Sequence, residues 1–439
     1  MSLPPDHPQR TLLSDEVHAR PPEALAAPLR ISYLALVSDP SLRDREWRHL
    51  SALLLERGLD VPPPGANHVA VDLGGCRLKW ERHTEFSRYM VVLPGLGSDP
   101  DDPFAEPALA SLPEEWLSGI PGQVIAATHA ALVEAGERGA DREHVAARLF
   151  AGHALIGSSV AGGAATALTD FRIHPDGFGR LLVETRSLAP RQAGRIVQRL
   201  LEIDTYKTMA LLALPVAREL APALGAAERE LAEITTALAH RPNGAGEATD
   251  EGALLDRLTR LEAELESRGA ATHFRFGAAA AYYGLVRQRI DELREDRIEG
   301  LQTFREFVER RLAPAMGTTR SAAERQEGLA ARLARATQLL STRVEVNQAR
   351  QNQALLHSMD SRARLQLRLQ ETVEGLSIAA VTYYIVGLVG YAVKGLAPLG
   401  LGVAPDIAMA ASIPLVLLLT ALGIRRIRRS VAQGGAGPG

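Results

Sequence analysis

The chain has 439 residues and a formal net charge of −3. That length exceeds one compact core, so two or three units are expected. The near-balanced charge supplies no global field favouring nucleic acid or acidic ligands. The single cysteine, Cys76, excludes an internal disulfide framework and a cysteine-based zinc site.

In chain order, residues 1–28 are polar and Pro-rich and are expected to form an extended arm that docks onto the following domain. Asp15 and Glu16 interrupt them, and no apolar core of a signal peptide is visible. Residues 29–187 carry the signals of an α+β cytoplasmic domain. Residues 29–38 form a short apolar run ending at Asp39-Pro40, which reads as a buried strand. Leu42, Trp47, Leu50, Leu53 and Leu54 recur at helical spacing until Gly58 and the Pro62-Pro63-Pro64-Gly65 run. Val69, Val71 and Leu73 alternate with polar or small residues, Gly74-Gly75 suits a two-residue turn, and Cys76, Leu78 and Trp80 alternate on the return. Residues 85–93 predict a third strand. Residues 123–133 are apolar and fit either strand or helix. Asp141 is positioned to cap a short helix over 141–150. Strands are expected at 154–160, 164–173 and 181–185, with Pro175-Asp176-Gly177 as the turn before the last.

From residue 188 the strand pattern stops, and 188–317 reads as a helical region. Helices are expected over 191–214, with Pro215 kinking or restarting the chain, then over 216–239 and 254–268, and 274–313 reads as a helix pair or one bent helix ending near Pro314 and Gly317. Residues 318–374 contain no proline and only Gly328, so they predict a long stalk helix that must pack on partners. Its polar patch, Asn347-Gln348-Ala-Arg350-Gln351-Asn352-Gln353, suits either a register-setting layer in a bundle or a solvated stretch.

Residues 375–424 hold only two charges, Lys394 and Asp406. The uncharged runs 376–393 and 407–424 each reach the lower length that spans a bilayer core, and the Gly/Pro-rich stretch between them predicts a turn. A two-helix transmembrane hairpin is expected; the alternative is a pair of buried core helices. Arg362, Arg364 and Arg368 precede it, and Arg425, Arg426, Arg428 and Arg429 follow it within the basic tail 425–439. Basic residues on both outer ends place both termini in the cytoplasm of a multi-pass inner-membrane protein. On the first run, Ser377, Ala380, Tyr384, Gly387, Tyr391 and Lys394 fall on one helical face. Such a small, polar and aromatic stripe suits either helix packing or a pore lining.

No motif carries enzymatic chemistry. The histidines, His18, His68, His83, His153 and His174 among them, show neither HExxH nor His/Cys pairs at i, i+4, so single satisfied or exposed side chains are expected and no metal site. Gly157-Ser-Ser-Val-Ala-Gly-Gly163 is neither a nucleophile elbow nor a phosphate loop, and a close backbone approach or a bulge in a sheet explains it. No catalytic residue and no cofactor is expected. The expected partners are the lipid bilayer and further copies of the chain, joined through stalk and first membrane helix, with no nucleic acid.

Four stretches carry a resemblance: Ser14-Asp-Glu-Val-His-Ala-Arg-Pro-Pro22, residues 304–316 (Phe304 to Met316), residues 351–360 (Gln351 to Asp360), and Leu365-Gln-Leu-Arg-Leu-Gln-Glu-Thr-Val-Glu-Gly-Leu376 leading into Val381-Thr-Tyr-Tyr-Ile-Val-Gly-Leu-Val-Gly-Tyr391. Over nearly its whole length the chain resembles a bacterial family of uncharacterised membrane-anchored proteins, domain of unknown function thirty-four twenty-two. The resemblance implies no activity. More distantly, the order of parts is similar to CorA-type cation transporters, which implies an oligomeric channel or transporter. The Gly-Met-Asn motif of that family is absent, and Gly390-Tyr-Ala-Val-Lys394 stands in its place. A membrane-tethered scaffold or sensor without transport is the alternative expectation.

Overall fold

The computed structural model describes residues 4, 6–11, 13–14, 21–136, 141–239, 248–396 and 404–434. They belong to two compact units, Met1–Pro242 with Asp256–Thr337, and Asn243–Leu255 with Gln338–Gly439.

The first unit is built on one mixed sheet. Its strands are β1 (Leu29–Val37), β2 (His68–Asp72), β3 (Arg77–Arg82), β4 (Phe86–Pro94), β5 (Gln123–Glu134), β6 (Ile156–Val160), β7 (Ala165–Thr169), β8 (Gly179–Thr185) and β9 (Asp296–Arg297). They lie in the order β2-β3-β4-β1-β5-β8-β7-β6-β9. All neighbours are antiparallel except β5 and β8, whose parallel pairing is bridged by the long connection through β6 and β7. Residues 123–133, ambiguous by pattern, are strand β5, because β1 and β8 satisfy its backbone on both sides.

β1 is buried along nearly its whole length because both faces of the sheet are covered. Ile31, Tyr33 and Ala35 meet Ile196, Val197, Leu200 and Met209 of helix α4 (Pro190–Leu211) on one face. Leu34 and Leu36 meet Leu50, Leu53 and Leu54 of helix α1 (Arg43–Glu56), with Trp80 and Tyr89, on the other. Two short helices complete this layer, α2 (Glu114–Ser118) and α3 (Arg142–Leu149). Asp141 caps α3 as expected, its carboxylate accepting from the His144 amide at 3.0 Å. Leu73 N donates to Cys76 O at 2.9 Å across Gly74-Gly75, so that pair is the hairpin turn, and Gly74 takes φ 83°. Gly157 lies where an added Cβ would meet Leu168 and the Ala167 carbonyl, the close approach read from its sequence.

Helix α5 (Ala213–Ala239) follows α4 almost directly. Pro215 stands in its first turn, where a missing N–H costs nothing. Helix α6 (Ala248–Leu293) is a single element of 46 residues and not two separated helices. Gly269, the glycine between the two expected helices, is flanked by good helix formers and does not break it, and Arg294, at φ 48°, follows its end. β9 pairs Asp296 and Arg297 with Ser159 and Ser158, a two-residue strand too short to leave a periodic signal. Helix α7 (Phe304–Arg311) opens with a capping box, Thr303 and Glu306.

Helix α8 (Ala313–Leu396) runs for 84 residues through the positions assigned to stalk and first apolar run. In the second unit, Arg343 pairs with Glu251 at 2.6 Å, and the Asn347 amide donates to the same carboxylate at 2.8 Å. Gln348 and residues 350–353 are exposed. Helix α9 (Pro405–Gly434) carries the second apolar run. Most of the turn expected between them, 397–403, lies outside the described residues, as do 15–20 of the N-terminal arm, His18 included.

Candidate functional site

Among the described residues, three helical stretches are long and apolar enough to cross a membrane: Pro190–Ala239, Phe304–Gly395 and Asp406–Arg426. Their surroundings separate them. The apolar side chains of α4 and α5, such as Ile196, Leu200, Met209, Leu220, Leu224 and Ile234, are already buried within the first unit. On α8 and α9, Leu376, Tyr383, Leu388, Ile407, Leu415 and Leu418 are all exposed. An uncovered apolar surface of this size marks an interaction with lipid or protein.

The predicted stripe can now be placed. Thr382 Oγ1 lies 3.2 Å from Thr420 Oγ1, and a Cβ on Gly390 would overlap the Met409 side chain. Thr382 and Gly390 therefore form the face of α8 that meets α9. Ser377, Ala380, Tyr384, Tyr391 and Lys394 are exposed and Gly387 is half-buried, so the stripe does not pack against α9. Arg362, Arg364, Arg368, Arg425 and Arg426 are exposed, and Arg364 pairs with Asp360 at 2.7 Å. The side chains of Arg428 and Arg429 lie outside the described residues.

The first unit holds a buried charge network that periodicity did not reveal. Lys79 Nζ is 3.0 Å from Glu81 Oε1, Arg88 Nε donates to the other Glu81 oxygen, and Arg88 Nη1 donates to Glu202 Oε1 at 3.0 Å. Arg289 and Gln198 also donate to Glu202. Burial, the largest single influence, pushes the Glu81 and Glu202 carboxyls up, but Arg88 together with Lys79 at Glu81, and Arg88 together with Gln198 and Arg289 at Glu202, outweigh it and hold both below the usual range. The network joins β3, β4, α4 and α6. Beside it, the backbone of the N-terminal arm docks on α4: Leu25 N donates to Pro190 O at 2.9 Å, and Glu23 pairs with Arg77 at 2.9 Å.

A cavity of about 330 Å³ opens between β5, the 171–179 turn and α4. Asp204 sits in its wall, accepting from Thr128 Oγ1 at 2.9 Å and pairing with Lys207 at 2.7 Å, while the Lys207 ammonium lies 4.4 Å over the Phe171 ring. Such convergent polar groups in an apolar wall are the ordinary setting of a small-molecule site.

The histidines are not all isolated. His153, after α3, and His174, in the turn before β8, both point at one oxygen of Asp170, Nδ1 at 2.7 Å and Nε2 at 2.9 Å. The three donor atoms lie within 4.8 Å of one another, a grouping able to hold a metal ion. A search for His and Cys pairs overlooks this trio, because one member is an aspartate and the other histidine is 21 residues upstream. The Asp170-x-x-x-His174 spacing was the available signal.

These features define the class: an α/β sheet unit followed by long helices and an apolar C-terminal helix. The chain belongs to the family described as protein of unknown function (DUF3422), whose model matches residues 5–431. No curated protein and no solved structure matches the chain.

Proposed function

We propose that this is a membrane-tethered sensor or scaffold protein, in which the C-terminal part of α8 and α9 form a transmembrane hairpin and the sheet unit is a cytoplasmic ligand-binding module. The observation that carries the reading is the outward surface of those helices. Leu376, Leu388, Ile407, Leu415 and Leu418 are exposed over most of their side-chain surface. In water this arrangement is costly, and in hydrocarbon it is the expected one. The Thr382–Thr420 contact supports pairing of the two helices. The Asp204–Lys207 cavity supports the binding role. The flanking arginines support cytoplasmic termini of an inner-membrane protein. A reporter fused after Gly439 is expected to read cytoplasmic and one inserted at Gly400 external; the reverse pattern overturns the orientation.

One observation favours a second reading, an oligomeric CorA-like channel or transporter. The stripe from Ser377 to Lys394 is exposed in the single chain and so remains available to line a path between copies. Two helices cannot enclose a conduit, so a monomer in mild detergent would remove this reading. If a ring forms, ion flux into liposomes that is unchanged in both Tyr384→Ala and Lys394→Ala argues for the tether.

A further inference from the structure

We propose that His153 Nδ1, Asp170 Oδ2 and His174 Nε2 form a binding site for a divalent transition-metal ion. The proposal is independent of the membrane reading, since all three residues belong to the sheet unit.

The two ring nitrogens come from different turns and converge on the same carboxylate oxygen, at 2.7 and 2.9 Å. A cation seated among the three would replace the N–H protons that otherwise fill those contacts. Two imidazoles and one carboxylate suit Zn²⁺ or Fe²⁺, whereas Mg²⁺ and Ca²⁺ prefer oxygen alone. The Asp170 side chain is fully buried. Among the described residues no Lys or Arg forms an ion pair with it; its side-chain partners are the two imidazoles. A bound cation would supply the carboxylate with a counter-charge that no Lys or Arg ion pair provides among the described residues.

The surroundings hold the donors in place. Asp170 Oδ1 accepts from the Arg172 amide at 3.2 Å, an outer contact that fixes the carboxylate plane. His174 is tied into its turn by its amide, which donates to Phe178 O at 2.9 Å. Ala151, at φ 55°, precedes His153 by two residues, and Phe171, at φ 50°, follows Asp170 directly. Non-glycine residues in the left-handed region are sparse and gather where a site imposes them. The His174 side chain is buried, and that of His153 is 32% exposed. Ions therefore enter from the His153 side, and with three protein ligands a further coordination position faces solvent.

The test uses the full-length protein in detergent, stripped with a chelator and titrated with Zn²⁺ alone by calorimetry, then with Co²⁺ while visible ligand-field absorption is recorded. One Zn²⁺ per chain is expected, with Co²⁺ bands typical of nitrogen and oxygen donors. His174→Ala and Asp170→Asn are expected to weaken Zn²⁺ binding by at least about 100-fold. His153→Ala is the decisive variant, because a partly exposed turn residue is removable without unfolding the sheet. It should weaken binding while leaving the thermal melt of the metal-free protein near that of the parent. His144→Ala, an exposed histidine outside the trio, should bind as the parent does. Absence of saturable Zn²⁺ uptake, or equal affinity in the parent and His153→Ala, overturns the proposal and leaves the trio as hydrogen bonds only.

Discussion

Arg88 spans from the sheet to α4 and holds two buried carboxylates, Glu81 and Glu202, at once. Removing one member leaves the others buried without their counter-charge, and breaking a buried pair this way costs about 3–5 kcal/mol. Glu202→Ala is therefore expected to lower the unfolding free energy of the first unit by that amount in a urea titration, more than a surface charge removal such as Glu228→Ala. His129 provides a second measurable consequence. It is buried, shares a 2.9 Å hydrogen bond with Ser32 and stacks on Phe178 at 3.9 Å. Burial, which outweighs the attraction of Asp176, lowers its pKa from 6.5 to about 4. The unfolded chain then binds the proton first as pH falls, so stability is lost between about pH 6.5 and 4, to a limit of about 3 kcal/mol. The depressed carboxyls of Glu81 and Glu202 lose their contribution in the same direction but lower, below the ordinary carboxylate range. His129→Gln should flatten the upper part of the stability profile and leave the lower part; an unchanged slope above pH 5 would show that another group is responsible.

Helix α4 is the element on which the first unit depends. It covers the sheet with Ile196, Leu200 and Met209, reaches the charge network through Glu202, and receives the N-terminal arm at Gly194. A Cβ at Gly194 would overlap the Glu23 carbonyl, and backbone cannot yield as a flexible side chain does. Gly194→Ala is expected to detach residues 21–28 from the helix, cost about 1–3 kcal/mol as overpacking does, and speed proteolysis near Arg20. Unaltered cleavage would mean the arm tolerates the shift. Element by element, the local patterns were a good guide where one face is buried. β1, β3, β4, α1 and the Asp141 cap lie where alternation, helical spacing and capping chemistry placed them. The exceptions have local reasons. β5 needed two strand neighbours to be distinguished from a helix. β9 is two residues long, and α6 absorbs Gly269, one of its four glycines, because the helix formers between them outweigh each one.

Considered as a whole, the molecule joins a sheet unit whose apolar helices are covered to C-terminal helices whose apolar residues are not. Deleting residues 375–439 is expected to move the protein from the membrane pellet to the soluble fraction, while deleting only 430–439 should not. A truncated chain that stays in the pellet would point to α4 and α5, the other apolar stretch, as a membrane contact. Composition alone could not choose among the three stretches, because a core helix and a membrane helix are both apolar. What differs is whether other parts of the chain cover them. The run of uncharged residues, the arginines beside it, the unbroken length of α8 and the family were all legible from the order of residues, since each is a local or cumulative property of the chain. The cover over α4, the outward direction of the Ser377-to-Lys394 stripe, the Arg88 network and the meeting of His153 with Asp170 and His174 depend on segments tens to hundreds of residues apart. Only the tertiary structure could decide those, because they are fixed by strand order and helix docking and leave no periodic trace in the sequence.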